Sequence, residues 1–343
     1  MSSFHRGVSR LNALRAGLAG ICLLAQAGAL AELKPVDAAL AKAQEALSAN
    51  KYDEAYRQYQ DIYKDYAHPV AAFSLGMFYR GGWGRPADPA QACDWFGKAA
   101  QGKLPAAEHF FGECLANGTG RAADPAKAAY WYGQAAQHGH LISQCSLARL
   151  YIAGNGVDKD PKKGLALCAQ VAGQGSVPAM LQMGQMLLQD GGDARDSIRD
   201  PAAAYGWYQQ AAQYGSAEAQ YQLGLMSRDG IGHAADPELA RGWFEAAAAQ
   251  SYAPAYLPTA VLYFNTPADA QTGGPAPEIL AKDYLWLNVA AHCLSDAAQL
   301  RQSRDMLDQV LRVMPKTWAP ALDDKLKGRL CDQPALKSAQ AAS

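Results

Sequence analysis

The stretch Ala107–Leu141 reads AEHFFGECLANGTGRAADPAKAAYWYGQAAQHGHL, and its landmarks recur along most of the 343-residue chain. Phe111-Gly112 precedes a Gly-x-Gly turn, which is followed by an Asp-Pro pair, an aromatic pair and Ala-Ala. The Asp-Pro pairs begin at Asp88, Asp124, Asp160, Asp200 and Asp236, so they advance by 36, 36, 40 and 36 residues. Self-similarity at such a period is typical of a solenoid of stacked repeats.

Each copy is interpreted as two helices. Apolar residues at helical spacing, such as Ala219, Leu223 and Met226, give the first helix one buried face. Glycine after this helix permits a positive φ, and the Asp-Pro pair supplies a cap and a first-turn proline for the second helix. Because one helical pair cannot bury its apolar faces alone, the copies must stack. The sequence predicts an all-α, right-handed α-solenoid of antiparallel helix pairs.

This order of motifs resembles the Sel-one-like repeat (SLR) proteins, which are relatives of the tetratricopeptide repeats. The resemblance covers roughly residues 69–251, and it identifies the chain as similar to exported bacterial members. Two copies depart from the pattern: the third has Leu167-Cys168 in place of the aromatic pair, and the fourth carries four extra residues within 191–199. The resemblance implies a protein–protein adaptor, in settings such as polysaccharide export, envelope signalling, secretion or host interaction.

The chain divides into six segments. Residues 1–31 are interpreted as a signal peptide cleaved after Ala31, because three arginines precede an apolar run and a small-x-small site; a membrane anchor is the alternative. The segments that follow are a tetratricopeptide-like cap (32–67), five SLR repeats (68–255), a degenerate sixth repeat with an inserted loop at 265–277 (256–297), capping helices (298–333) and a disordered tail (334–343). We expect a periplasmic or secreted protein with no membrane insertion after cleavage.

Charge and cysteine content support the same compartment. Without the three arginines of 1–31, the chain has 28 basic and 32 acidic residues and no basic block, which argues against nucleic-acid binding. Six cysteines remain, an even number typical of an oxidising compartment. Cysteines that lie at equal distances before and after a turn come level when the two helices pack antiparallel. These mirror positions predict the pairs Cys93–Cys114 and Cys145–Cys168. The two remaining cysteines then give the pair Cys293–Cys331. Small buried thiols at helix crossings are the alternative.

Motifs for catalysis or metal binding are scarce, so no enzyme, cofactor or metal is expected. Ser48 and Lys51 match the Ser-x-x-Lys of penicillin-recognising enzymes, but the partner motifs of that class are missing. His138 and His140 bracket a turn glycine and offer at best a partial metal site.

The surface formed by the stacked first helices is the better candidate for function. Positions two before and two after each Leu of a Leu-Gly pair point away from the buried face. The residues predicted to line this concave face are Phe73, Met77, His109, Glu113, Arg149, Leu181, Gln185, Tyr221 and Leu225. Apolar ends with a polar centre suit an amphipathic helix or an extended peptide. In the alternative, the apolar members pack against neighbouring repeats, and Glu113 and Arg149 form a solvated ion pair.

We therefore predict an exported scaffold or adaptor that binds or regulates another protein of the bacterial envelope through this concave face. Two alternatives remain open. One is a periplasmic enzyme of the cysteine-rich SLR kind that binds or hydrolyses β-lactams. The other is a redox-sensitive periplasmic regulator of a membrane sensor.

Overall fold

The computed structural model describes residues 35–189, 197–270 and 273–327, and the secondary structure in these ranges is helical with no strand. The predicted signal peptide 1–31, the tail 334–343, Cys331 and most of the insertion in the fourth repeat lie outside the described residues. The α-helices described are α1 (Pro35–Ser48), α2 (Tyr52–Tyr66), α3 (Pro69–Gly81), α4 (Pro89–Gln101), α5 (Pro105–Asn117), α6 (Pro125–Gln137), α7 (Ser143–Ala153), α8 (Pro161–Gly173), α9 (Val177–Leu188), α10 (Pro201–Gln213), α11 (Ala217–Asp229), α12 (Pro237–Ala249), α13 (Tyr256–Phe264), α14 (Pro277–Cys293), α15 (Ala297–Val313) and α16 (Ala319–Leu326).

The chain forms two compact units, and the boundary along the sequence falls between Ala67 and His68. In the first unit, α1 and α2 pack against each other as a helical hairpin. Ala43 and Tyr59 are buried between them, and the Tyr59 hydroxyl donates to the Gln44 side-chain oxygen at 3.1 Å.

The second unit is an α-solenoid in which each helix from α3 to α14 packs against the next one in sequence. The second helices of the five repeats begin with the same Asp-Pro motif. The carboxylates of Asp88, Asp124, Asp160, Asp200 and Asp236 each accept a hydrogen bond at 2.9–3.0 Å from the backbone N–H three residues later, and proline follows each aspartate. These contacts satisfy N–H groups that have no partner within the helix. The Asp-Pro pair therefore fixes where each second helix begins.

The glycine of the Leu-Gly pair allows an aromatic ring of the following helix to approach the backbone. A Cβ built at these glycines would lie 2.5–2.9 Å from ring atoms in the pairs Gly76–Phe96, Gly112–Tyr132, Gly184–Tyr208 and Gly224–Phe244. Such distances are far below ordinary carbon–carbon contact. The two motifs of the repeat are thus one packing unit, with the glycine on the first helix and the ring on the second.

The third repeat departs from this arrangement on both helices. Ala148 stands where other repeats have glycine, and Cys168 stands where they have the ring. Cys168 forms a disulfide with Cys145, and the two Cα atoms are 4.3 Å apart. Here the glycine that allows close approach is on the second helix, α8. A Cβ built at Gly164 would lie 2.7 Å from the carbonyl oxygen of Ala148 on α7. The disulfide and Gly164 together replace the glycine–ring contact.

The other described disulfide joins neighbouring repeats. Cys93 on α4 bonds to Cys114 on α5, with the Cα atoms 5.8 Å apart. Both described disulfides are therefore the pairs that the mirror positions in the sequence indicate. The third predicted pair includes Cys331, which lies outside the described residues.

The end of the second unit is less regular. A 3-10 turn at Ala253–Ala255 precedes α13, and the inserted loop separates α13 from α14. The α14 helix packs against α13, α15 and α16, and the Tyr284 hydroxyl donates to Asp323 of α16 at 2.6 Å. Within the described ranges, none of the helices combines the length and the apolar character that a membrane crossing requires.

Candidate functional site

A cavity of about 460 Å³ is formed by residues of α5, α7 and α9, the first helices of three consecutive repeats. Three of the residues predicted for the concave face line it: His109, Glu113 and Arg149. Leu150 and Met186, both buried, contribute apolar surface to its wall. The cavity thus coincides with the polar centre of the predicted face.

Four side-chain amides contribute to the rest of the wall. Asn117, Asn155, Gln182 and Gln189 all line the cavity. The side-chain oxygen of Gln182 is buried and has no hydrogen-bond partner in the described part of the chain. A buried acceptor without a donor is energetically costly.

Glu113 and Arg149 do not form the ion pair considered from the sequence. A carboxylate oxygen of Glu113 lies 3.7 Å from a guanidinium nitrogen of Arg80, and the Arg80 guanidinium also lies over the ring of Phe110, 4.3 Å from its centroid. The Arg149 side chain is exposed along the cavity. The cavity therefore presents a carboxylate and a guanidinium at separate places.

His109 belongs to a polar cluster at the edge of the cavity. Its Nδ1 atom lies 2.9 Å from Ser143 Oγ, and the Nδ1 atom of His140 lies 2.7 Å from the same oxygen. Burial lowers the pKa of His109 to about 4, with further lowering by the positive charges of His140 and Arg80, and burial also lowers the pKa of His140. One hydroxyl can donate to one ring and accept from the other, so the cluster is satisfied with both rings neutral.

This cluster resembles a serine beside a base, but its geometry favours a structural role. Ser143 is fully buried and does not line the cavity, so its hydroxyl is not offered to a substrate there. It is the first residue of α7, and its contact with His109 holds the start of that helix against α5. The histidines therefore position one wall of the cavity.

His138 and His140, weighed from the sequence as a partial metal site, have different partners. His138 Nδ1 lies 2.8 Å from a carboxylate oxygen of Glu108, a buried residue of α5. His140 contacts Ser143 instead. Across the described ranges, no three His, Cys, Asp or Glu side chains are grouped so that they could hold a metal ion.

The other six residues predicted for the concave face do not line the cavity. Phe73 is only 7% exposed, with its ring centroid 5.6 Å from that of Phe96 and 5.8 Å from that of Phe110. Tyr221 is partly buried beside the rings of Phe244 and Tyr252. The structure leaves Met77, Leu181 and Leu225 partly buried and Gln185 exposed. Phe73 and Tyr221 thus pack against other rings of the solenoid, as in the alternative in which the apolar members of this face make packing contacts.

The sequence contained a sign of the amides that the prediction missed. Asn117 directly precedes the Gly-x-Gly turn of the second repeat, and Asn155 lies inside that turn of the third. Gln182 directly precedes the Met-Gly pair of the fourth. Asn117 and Gln189 occupy corresponding positions two repeats apart, so a comparison of the repeats would have drawn attention to this pair.

Comparison with family models matches the Sel1 repeat five times, at residues 69–103, 105–140, 141–176, 177–216 and 217–252. Among solved structures, a Sel1 repeat protein from Oxalobacter formigenes is 25% identical, with a TM-score of 0.51 over 73% of this chain and 95% of that one. The protective antigen c5321 of uropathogenic Escherichia coli, described as displaying an SLR fold, is 24% identical, with a TM-score of 0.53 over 80% of this chain and 61% of that one. Comparison with curated proteins gives no match. The five matches cover more than half of the 343 residues, so the chain belongs to the Sel1 repeat family.

Proposed function

We propose that this protein is an exported scaffold that holds another protein of the bacterial envelope by an extended segment bound in the cavity of α5, α7 and α9. Sel1 repeat proteins are generally protein-interaction scaffolds, which supports the general class of function. The observation that carries the proposal is the amide-rich wall of the cavity.

An extended polypeptide matches this wall chemically. Its backbone presents N–H donors and C=O acceptors along its length, and a side-chain amide can satisfy either group. Asn117, Gln182 and Gln189 therefore suit a peptide backbone of varied sequence. Glu113 and Arg149 would select side chains of opposite charge, and the apolar surface of Met186 would take an apolar side chain. Affinity then depends on a few such anchors rather than on total area.

The expected export rests on the cysteines and on the predicted signal peptide. Two disulfides are typical of proteins in oxidising compartments. Cleavage after Ala31 remains a prediction, because residues 1–34 lie outside the described residues.

The redox-regulator alternative fits the structure less well than a structural role for the disulfides. Cys93, Cys145 and Cys168 are each at most 2% exposed. Thiol–disulfide exchange requires access of the attacking thiolate to sulfur. Burial of these sulfur atoms limits such exchange, so the two disulfides fit a stabilising role better than a redox switch.

A direct assay distinguishes the β-lactam enzyme from the scaffold. Ser48 Oγ donates to the backbone oxygen of Gln44 at 2.9 Å, and Lys51 Nζ lies 3.8 Å from a carboxylate oxygen of Glu54, so each side chain has another partner. The mature protein is incubated with fluorescent penicillin, denatured and run on a gel. We expect no covalent label; a label lost in Ser48→Ala would favour the enzyme.

The scaffold proposal is tested by filling the cavity without touching the core. Ala153 lines the cavity and is exposed at the end of α7, whereas Ala166 is exposed on α8 and does not line it. Ala153→Arg and Ala166→Arg add the same side chain at the two places. Each protein is expressed in its own envelope, crosslinked mildly and purified. We expect one partner to be retained by the parent and by Ala166→Arg and lost from Ala153→Arg. Equal retention by both variants would refute the cavity as the binding site.

A further inference from the structure

A second cavity, of about 250 Å³, lies near the end of the solenoid. It is lined by residues of α13, α14 and α15 and by Thr266, Ala268 and Pro275 of the inserted loop. Phe264, Leu280 and Val310 give it apolar surface, and Asp283 and Gln309 give it polar groups. It shares no lining residue with the cavity of α5, α7 and α9.

Asp283 is the unusual group in this cavity. Its side chain is 3% exposed, and its Oδ1 atom is buried without a hydrogen-bond partner in the described part of the chain. Burial raises the pKa of this carboxyl to about 7. A buried carboxylate is ordinarily paired with a cation or accepts hydrogen bonds. The cavity therefore holds an acceptor whose partner is missing from the described residues.

Two cations that contact residues of the cavity wall, Lys282 and Arg241, have other partners. Lys282 Nζ lies 3.0 Å from a carboxylate oxygen of Glu245 and donates to the Tyr263 hydroxyl at 2.6 Å. The Arg241 guanidinium pairs with Glu238. Both positive charges are thus compensated by acidic residues other than Asp283.

We propose that this cavity binds an organic cation with an aliphatic stem, the ammonium or guanidinium group of a lysine or arginine side chain or of a free amine. The charged head would meet Asp283, where a charge-assisted hydrogen bond replaces the missing partner. The stem would lie along Phe264, Leu280 and Val310. The side-chain oxygen of Gln309 is a further acceptor in the wall for the remaining N–H groups.

This chemistry distinguishes the cavity from a simple packing defect. An empty apolar cavity accepts neutral apolar ligands. A cavity containing an unpaired carboxyl discriminates by charge, because a neutral ligand of the same shape leaves that carboxyl unpaired. The proposal does not depend on the scaffold function, since the two cavities are lined by different helices.

Calorimetric titration of the mature protein at pH 8 tests the proposal, because the carboxyl is then mostly ionised. The probes are agmatine, a capped lysine tripeptide and the same tripeptide with norleucine. The protein variants are Asp283→Asn and, as a control, Glu278→Gln, which changes an exposed acid in the first turn of the same helix. We expect saturable binding of a cationic probe to the parent and to Glu278→Gln, and affinity at least about 10-fold weaker for Asp283→Asn, the factor for one charge-assisted hydrogen bond.

The two sources of the cation give different results. Tighter binding of the lysine tripeptide points to a partner polypeptide, and tighter binding of agmatine points to a free amine. The proposal is overturned if neither cation binds, if norleucine binds as well as lysine, or if Asp283→Asn binds the cations as the parent does. Circular dichroism of each variant checks that it keeps its helical content.

Discussion

Replacing Gly224 with alanine tests the glycine–ring contact that defines the repeat. A Cβ at this position would lie 2.5 Å from two ring carbons of Phe244, about 1 Å inside ordinary contact. The ring cannot move towards solvent, since Phe244 and the adjacent Leu223 are fully buried. We therefore expect the helices to be forced apart, at a cost of about 1–3 kcal/mol in the free energy of unfolding.

The control is Gly242→Ala on α12, the helix that carries Phe244. No atom lies within 4 Å of a Cβ built at Gly242, so this variant gains only the higher helix propensity of alanine, about 0.5–1 kcal/mol. Gly224 also lies inside a helix, so the propensity gain is similar for both variants and cancels in their comparison. The difference between the two variants adds the propensity gain to the net loss of Gly224→Ala and so gives the steric cost alone, about 1.5–4 kcal/mol.

The assay is urea unfolding followed by far-ultraviolet circular dichroism, with the slope of each transition compared to confirm that the same structure unfolds. We expect Gly224→Ala to be less stable than the parent and Gly242→Ala to be more stable. The loss of the double variant Gly224→Ala, Phe244→Leu should be smaller than the sum of the losses of the two single variants, because the two positions are in contact. Equal effects of the two glycine substitutions, or additive losses in the double variant, would refute the packing argument.

Three further predictions concern single interactions. Asp283→Asn should raise the free energy of unfolding at pH 8, because the parent then buries a carboxylate; the gain should disappear near pH 4. The raised pKa means that the folded parent retains its proton longer than the unfolded chain, so this contribution to stability falls as pH rises from about 4 to about 7; urea titrations at both pH values check this. Replacing Cys145 and Cys168 together with alanine should cost about 3 kcal/mol, measured by the same unfolding assay, because the disulfide closes a loop of 23 residues. Asp236→Ala should cost about 1 kcal/mol through loss of its hydrogen bond to the N–H of Leu239, and Asp236→Ser, which keeps a capping oxygen, is the control that should retain most of the stability.

The fold could be predicted because each repeat signal is local chemistry at a fixed period. The Asp-Pro pair caps a helix wherever it occurs, and the mirror positions of Cys93 and Cys114 follow from helix lengths alone. The angle of Phe73 on α3 predicts a position on the concave face, yet its ring packs against Phe110 of the next repeat. Whether the next repeat covers a residue depends on the angle at which the two helices cross. The position of the residue around its own helix does not determine that angle.

The same limit explains the site residues that were missed. Asn117, Asn155 and Gln189 lie at or just beyond the ends of first helices, where the cavity depends on how three repeats converge. Burial of Asp283 could be predicted from the sequence more easily. It follows Leu280 by three residues and precedes Leu287 by four, so it lies on the apolar face of α14. A carboxylate on such a face is a reason to look for a cavity beside it.

Site-specific photocrosslinking in the native envelope tests the central claim most directly. A photoreactive amino acid is placed at Ala153, on the cavity wall, or at Ala166, exposed outside it, and the crosslinked products are identified by mass spectrometry. We predict that position 153 captures an extended segment of one envelope protein, that position 166 does not, and that Arg149→Glu in the same chain weakens the capture. Equal capture at both positions, or no polypeptide captured at position 153, would contradict the account.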